Sequence, residues 1–528
     1  MIERIIENWL INSTEKIYQI PFCQILGLKG YKVLHLSSHG VSEHGKDIIA
    51  IDNKNVPCAF QLKTGDISTV VWRQICPEIT ELVELPIDYP SISSSRRHRA
   101  ILVTNGKITD DVRTKITTLN RGYKRRKLPK LELTTGKELL QDFVHAQGSF
   151  LPNEPKEIQD FLELYSSDGR INIQEERFAN FIKGILFGDE QKSKSTTLSR
   201  KIASGLLLTK YALYPYEKAN NYISIIKGWV IFCSYVLALA EKTILPEKYW
   251  KSPYQLCWYE IDGCLKKFRE EVIQRNNRFL EGDITGDGGL VYKTRATIIL
   301  GWLSAYELLQ KCRDSCYTFD RRIYELIKYN FPHNMFLWGE SASIHFIMMG
   351  LFLSLLGEKG MAVNIYEEIL SHIVTSNNLK SETGLADPYY SPDQILGALF
   401  QLPDGEIDFR SFVGTSYTLR TLIDCLAREG RRDILEKLWY HTSYMQYCEY
   451  TPEPIWHTYF WKSEKGIEVQ KAFDSPQSWR QLKKEAFLEP RNIPTKISVD
   501  KKFLLLFLLT FPHRLKSDLV KLIDHNFH

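Results

Sequence analysis

A chain of 528 residues is too long for one hydrophobic core and predicts two to four domains. Apolar residues at 44% and charged residues at 25% are the proportions of an ordinary globular protein, and ten cysteines without framework spacing exclude a disulfide scaffold. The formal net charge of +5 is unevenly placed: residues 1–150 hold 21 Lys and Arg against 16 Asp and Glu, and the remainder balances.

Along the chain, Met1-Ile2-Glu3-Arg4 carries no signal-peptide pattern, which predicts a cytoplasmic protein with reduced thiols. A helix is predicted over about Glu15–Leu28 and a strand over Gly30–Leu36. Two short, nearly all-apolar runs follow, one headed by Asp47 and running to Ile51, the other Cys58–Lys63. Such runs suit a sheet buried on both faces. A helix over Ile67–Leu85, interrupted near Pro77, leads to a strand at Ala100–Gly106. The last strand is Leu131–Thr135 and the last helix Gly136–Val144.

The chemistry concentrates where the two apolar runs meet. Strand residues two apart share a face, so Gln61 and Lys63 point one way with Leu62 buried behind them. If the runs pair as a hairpin, Asp47 comes close to both. An acid, an amide oxygen and a lysine at a sheet edge can hold Mg²⁺ (or Mn²⁺) and activate water against a phosphodiester. The expected ligands are Asp47, the Gln61 side-chain oxygen and a backbone carbonyl near Leu62. Lys63 would orient the water or stabilise developing charge. Singly, an acid at a strand entry and a lysine at a strand end are ordinary; jointly they form a pattern.

Asp47…Gln61-Leu62-Lys63, with this order of elements, resembles the PD-(D/E)xK nuclease superfamily, in particular the Mrr-like restriction endonuclease branch in which Gln replaces the second acid. The resemblance covers only about the first 150 residues. It implies an α/β restriction-endonuclease-like fold, a central mixed sheet flanked by helices, and a Mg²⁺-dependent DNA endonuclease acting on double-stranded DNA. It also implies a further carboxylate, for which Glu15, the slot at Gln19 and Glu43 stay open. His44 would support the site or protonate the leaving group. Lys46 is expected on the other face, on the nucleic-acid backbone or on nothing.

Two basic segments are placed in connections, Arg96-Arg97-His98-Arg99 and Arg121-Gly122-Tyr123-Lys124-Arg125-Arg126-Lys127. Of these, Arg96, Arg97, Arg99, Lys124, Arg125, Arg126 and Lys127 are the expected phosphate contacts, binding without reading sequence.

A Gly/Ser/Pro/Asn cluster at 148–155 marks a boundary. It divides a nuclease domain, 1–150, from a large all-α region, 155–528, read as regulatory or oligomerising and possibly two subdomains. Helical periodicity covers 198–212, 219–241, 293–313, 341–357, 359–374, 416–429 and 501–511. The longest apolar stretches have 13 residues or fewer, short of the about 20 that a membrane span needs. Asp283–Gly288 resembles the opening of a calcium loop, but Thr294 stands where a bidentate Glu is required. Cys312 and Cys316 lack a second pair for zinc. Trp456-His457-Thr458-Tyr459-Phe460-Trp461 reads as core, with base or ligand stacking as the alternative.

The whole predicts a restriction-like antiviral defence nuclease controlled by its helical region, as a homo-oligomer or with a partner defence subunit. The alternatives are a degenerate nuclease fold that only binds nucleic acid and a helical scaffold subunit.

Overall fold

The structure is a computed structural model that describes residues 6–7, 10–11, 13–36, 46–87, 89, 92, 97–150, 161, 163–188, 195–275, 288–402, 407–462, 466–474, 477–491, 493–524 and 527. The chain divides into two compact units, residues 1–155 with 203–208, and residues 156–202 with 209–528.

The first unit contains, in order, α1 (Glu15–Leu28), β1 (Lys32–Leu36), β2 (Ile48–Ile51), β3 (Pro57–Lys63), α2 (Thr69–Glu84), β4 (Arg99–Thr104), α3 (Asp110–Arg125), β5 (Leu131–Thr134) and α4 (Gly136–Phe150). The sheet order is β1-β2-β3-β4-β5. β1, β2 and β3 pair antiparallel; β3–β4 and β4–β5 are parallel. Parallel neighbours need long crossovers, and α2 and α3 supply them.

Alternation along β3 assigns its faces. Ala59 joins Ile49, Ile75, Ile79, Leu102, Val112 and Ile116 in the core under α2 and α3. Phe60 points the other way and meets Phe22 of α1, ring centroids 5.7 Å apart. Burial on both faces is why β3 and β4 read as continuous apolar runs.

Two expectations need correction here. Pro77 does not interrupt α2, which runs unbroken from Thr69 to Glu84. A proline inside a helix costs about 3 kcal/mol. The stripe Trp72, Ile75, Ile79, Leu82 and Val83 buries apolar surface on both sides of it and holds the helix together. Residues 121–125 are not a connection but the last turns of α3, whose first turn carries Asp110 and Asp111 and whose last carries Lys124 and Arg125. That distribution matches the helix macrodipole.

At the carboxyl ends of β3 and β4 the chain is tightly tied. Asn105, buried, donates to the carbonyls of Leu10 (2.6 Å) and Ser13 (2.8 Å) and accepts from the Gly65 amide (2.6 Å). A Cβ on Gly106 would lie 2.2 Å from the Gly65 carbonyl carbon, so only glycine lets the two loops cross.

The second unit is largely helical. The 21-residue helix Tyr222–Lys242 has a mean hydropathy of 1.9, enough in length and composition to cross a membrane, yet its apolar window is 89% buried inside the protein. It packs against the helices Lys251–Arg275 and Glu175–Phe187. The helix Ser343–Leu356 packs between Gly288–Arg313 and Lys359–Asn377, closely enough that a Cβ on Gly350 would sit 2.4 Å from the Tyr366 ring.

This unit is not all-α. A three-stranded sheet is formed by β6 (Thr415–Ser416), β7 (Gln446–Pro452) and β8 (Gly466–Ala472), with β7–β8 antiparallel. The hairpin escapes a sequence reading because its strands are half polar and its connection holds the dense aromatic run 456–461.

Candidate active site

Asp47 enters β2 and donates its backbone N–H to the Phe60 carbonyl at 2.8 Å. Its Oδ2 accepts from the Leu62 amide at 2.6 Å. The acid therefore caps the β3 backbone midway between Gln61 and Lys63. A strand residue aims its N–H and its C=O to the same side. The Leu62 carbonyl thus points to the side from which Asp47 approaches.

Gln61 is 4% exposed, and its Oε1 is buried without a hydrogen-bond partner. Leaving such an acceptor unpaired costs about 1–3 kcal/mol. Lys63 forms an ion pair with Glu78 of α2 at 2.6 Å, its side chain 15% exposed against 48% for Glu78. Glu78 was not anticipated; its signal was an acid on the polar face of the helix that follows Lys63.

α1 clips onto both strands. The Tyr18 hydroxyl, fully buried, donates to the Lys63 carbonyl at 2.8 Å. Gln19 Nε2 donates to the Asp47 carbonyl at 3.2 Å. Burial first, then the charges of Glu15 and Asp47, raise the Tyr18 pKa far above the phenol range. Two carboxylates, Glu15 and Asp47, therefore bear on one hydroxyl. Glu43 and His44 lie outside the described residues.

Lys46 departs from expectation. It is 4% exposed, not on a solvated face. Burial lowers its pKa to about 8, and Glu81 of α2 opposes the shift. The same field reaches His98, whose Nε2 lies 2.9 Å from the Leu82 carbonyl. Burial lowers the His98 pKa, the Leu82 carbonyl resists, and Lys46 lowers it further.

The basic segments are not brought to this site. Lys63 is level with Thr104 in the β3–β4 register, whereas Arg99 is level with Cys58, at the other end of the strands. Arg99 binds Glu132 at 2.6 Å and Asp52 at 3.4 Å. The Glu132 hydrogen bonds, acting against burial, raise its pKa further. Arg99 begins β4 and does not sit in a connection, and its guanidinium is paired with carboxylates. Asn120 bonds both the N–H and the C=O of Leu131, opposite Ala100, so the end of α3 lies at that same far end. There Arg126 pairs with Glu84 at 2.7 Å and stacks on Tyr123. Lys127 takes a left-handed φ of 59° while the Leu128 amide returns to the Tyr123 carbonyl at 2.9 Å, a Schellman-type stop. Arg97, Lys124 and Arg125 are exposed, and Arg96 lies outside the described residues.

Among the described residues no three His, Cys, Asp or Glu side chains cluster as a metal site. The oxygens that these neighbouring residues offer are hard donors: the Asp47 carboxylate, the unpartnered Gln61 Oε1 and the Leu62 carbonyl. Hard oxygen sets suit Mg²⁺ or Mn²⁺, and Mg²⁺ needs only one or two carboxylates, so the residues fit such a cation.

No family model matches the chain. Neither does any curated protein or any solved structure.

Proposed function

We propose that the first unit is a PD-(D/E)xK-type, Mg²⁺- or Mn²⁺-dependent DNA endonuclease that hydrolyses phosphodiester bonds of double-stranded DNA. The observation that carries this reading is the Asp47 carboxylate on the Leu62 amide at 2.6 Å, flanked by the orphaned oxygen of Gln61 and the ammonium of Lys63. Asp47, Gln61 Oε1 and the Leu62 carbonyl would hold the cation. When bound, it polarises the phosphodiester and supplies hydroxide at neutral pH.

The chain's own groups do the rest. Lys63 presents a positive charge toward the charge that develops on the phosphoryl oxygens, and Glu78 fixes where that ammonium sits. Tyr18 and Gln19 lock the Lys63 and Asp47 main chain, so the acid and the lysine keep their separation as substrate enters. The context that fits is a cytoplasmic, restriction-like antiviral effector. In it the helical unit controls when the nuclease acts and pairs two chains, or a chain with a partner subunit, so that both DNA strands are cut.

Plasmid cleavage with Mg²⁺ or Mn²⁺ tests the reading. Wild type nicks or linearises plasmid and loses this with chelator. Asp47→Asn abolishes cleavage with the fold intact. Lys63→Ala falls by about 10²–10³ in rate yet still binds DNA. Cleavage by Asp47→Asn at the wild-type rate would overturn the assignment.

One observation favours a second reading. With no cluster of three acids among the described residues, the fold could serve only to bind DNA. Metal-independent gel shift of labelled duplex without any cleavage is the result that selects it.

A further inference from the structure

The second unit contains a buried cation with no counter-ion among the described residues. Arg514 is 5% exposed and lies in the turn Pro512–Arg514. Its Nη2 donates to the Phe460 carbonyl at 2.7 Å, and its guanidinium stacks on the Tyr450 ring at 4.4 Å. Its Nε and Nη1 are buried without hydrogen-bond partners. The carboxylates that act on Tyr389 are engaged elsewhere: Asp387 accepts from the Tyr389 amide at 2.9 Å and Glu468 from the Tyr417 hydroxyl at 2.7 Å. Burial depresses the Arg514 pKa, and the surrounding tyrosines oppose the shift.

Its neighbour repeats the anomaly. His513 is 3% exposed, and neither ring nitrogen makes a hydrogen bond of good geometry, the Trp461 backbone being the one acceptor that acts on the ring. The imidazole stacks on Tyr389, centroids 4.9 Å apart at 24°, and meets Trp461 edge-on at 4.9 Å. Tyr389, Tyr450 and Trp461, all half-buried, flank the two side chains with aromatic faces and edges.

A buried guanidinium with no carboxylate beside it and two nitrogens unpartnered is unfavourable, and water can bond it but cannot neutralise it. Two adjacent unsatisfied polar side chains, boxed by aromatic faces, have the makeup of a small-ligand site: mostly apolar walls and a few convergent polar groups. Arg514 Nη1 is a charged donor without an acceptor, which an anionic oxygen satisfies. The aromatic run 456–461 supplies Trp461, which gives that run a role besides packing.

We propose that Arg514 and His513 form the floor of a binding site for a small organic anion bearing a flat ring, an oxygen of its phosphate or carboxylate accepting from Arg514 Nη1. The ring lies against Tyr389 and Trp461. This site is separate from the Asp47 site and does not depend on the nuclease reading.

The test uses full-length protein, thermal unfolding and tryptophan emission, with ATP, inorganic phosphate and benzoate as probes. At about 1 mM, ATP is expected to raise the unfolding temperature of the second unit by roughly 2 °C or more and to change Trp461 emission. A response to ATP and inorganic phosphate identifies a phosphoryl group as the recognised anion; a response to benzoate alone identifies a carboxylate. Arg514→Lys, which keeps the charge but not the fixed planar donors, is expected to weaken binding at least about tenfold. Trp461→Phe is expected to bind and lose the emission change. The proposal is overturned if none of the three probes shifts wild-type protein up to about 5 mM. It is equally overturned if Arg514→Lys binds as wild type does.

Discussion

Gln61 is the residue at which stability and activity are expected to part. Its Oε1 is buried and unpartnered, so in the absence of cation it is a standing cost of about 1–3 kcal/mol. Gln61→Leu removes that cost and is expected to leave the first unit as stable or more stable, while cleavage falls at least about tenfold. Gln61→Glu adds a second negative oxygen beside Asp47. It is expected to lower the Mg²⁺ concentration that half-saturates cleavage, read from a metal titration; a higher requirement would show that Gln61 does not face the cation. The Gln-x-Lys spacing and its pairing with an acid one strand away could be read from sequence, because strand alternation alone puts 61 and 63 on one face. The grip of Tyr18 on the Lys63 carbonyl and of Glu78 on the Lys63 ammonium could not. Both depend on how α1 and α2 lie across the sheet, which no local pattern encodes. The burial of Lys46 was hidden for the same reason: a lysine at a strand entry reads as solvated until a helix bearing Glu81 is laid over it.

At the scale of elements, the apolar runs 47–51 and 58–63 marked β2 and β3 because both faces of those strands are covered. α3 was missed because only Val112, Ile116, Leu119 and Tyr123 interrupt a polar helix, a narrow stripe among threonines and charges. Asn105 shows how the ends of such elements are held. Asn105→Ala strands two carbonyls and one amide at the loop crossing and is expected to destabilise the first unit by about 3 kcal/mol in urea denaturation. In the second unit the corresponding tie is Glu340, fully enclosed. It accepts from the Tyr417 and Thr418 amides at 2.7 and 2.8 Å at the start of the helix Leu419–Arg428. Burial raises its pKa to about 7 against the lowering effect of those donors. Below pH 4.5 the carboxyl is protonated folded and unfolded alike. Above it the unfolded chain releases its proton first, so stability falls with rising pH until about 7. The loss is on the order of 3 kcal/mol. Glu340→Gln is expected to remove this slope between pH 4.5 and 7 in the unfolding transition of the second unit. An identical slope in the variant would place the titration elsewhere.

For the whole molecule, the question is how a chain with its charge excess in the first 150 residues meets a polyanion. The carboxylate-bound arginines contribute little: Arg99 is spent on Glu132 and Asp52, and Arg126 pairs with Glu84. Arg97, Lys124, Arg125 and Lys127 are exposed, and among the described residues none of them forms an ion pair. Those in α3 lie toward the end of the sheet that holds Arg99, and Arg97 just precedes β4 there. In β4, five residue steps lead from Arg99 to Thr104, which is level with Lys63, a distance of about 17 Å at 3.3 Å per residue. One turn of duplex is about 34 Å long, so DNA lying along the strands reaches both the basic end and the Asp47 end. Neutralising Arg97, Lys124, Arg125 and Lys127 together is therefore expected to weaken binding equally for unrelated sequences. It should flatten the dependence of log affinity on log salt by about 0.9 for each phosphate that is no longer neutralised, up to about 3.6 for four. Arg99→Gln is expected to behave differently, lowering stability while leaving the slope unchanged, because its partners are carboxylates of the fold. Lys107 and Arg113 offer the comparison set, exposed just beyond the carboxyl end of β4. If neutralising that pair flattens the slope while the quadruple variant does not, the duplex crosses the carboxyl ends of the strands and the far basic cluster serves the helix dipole and solubility alone.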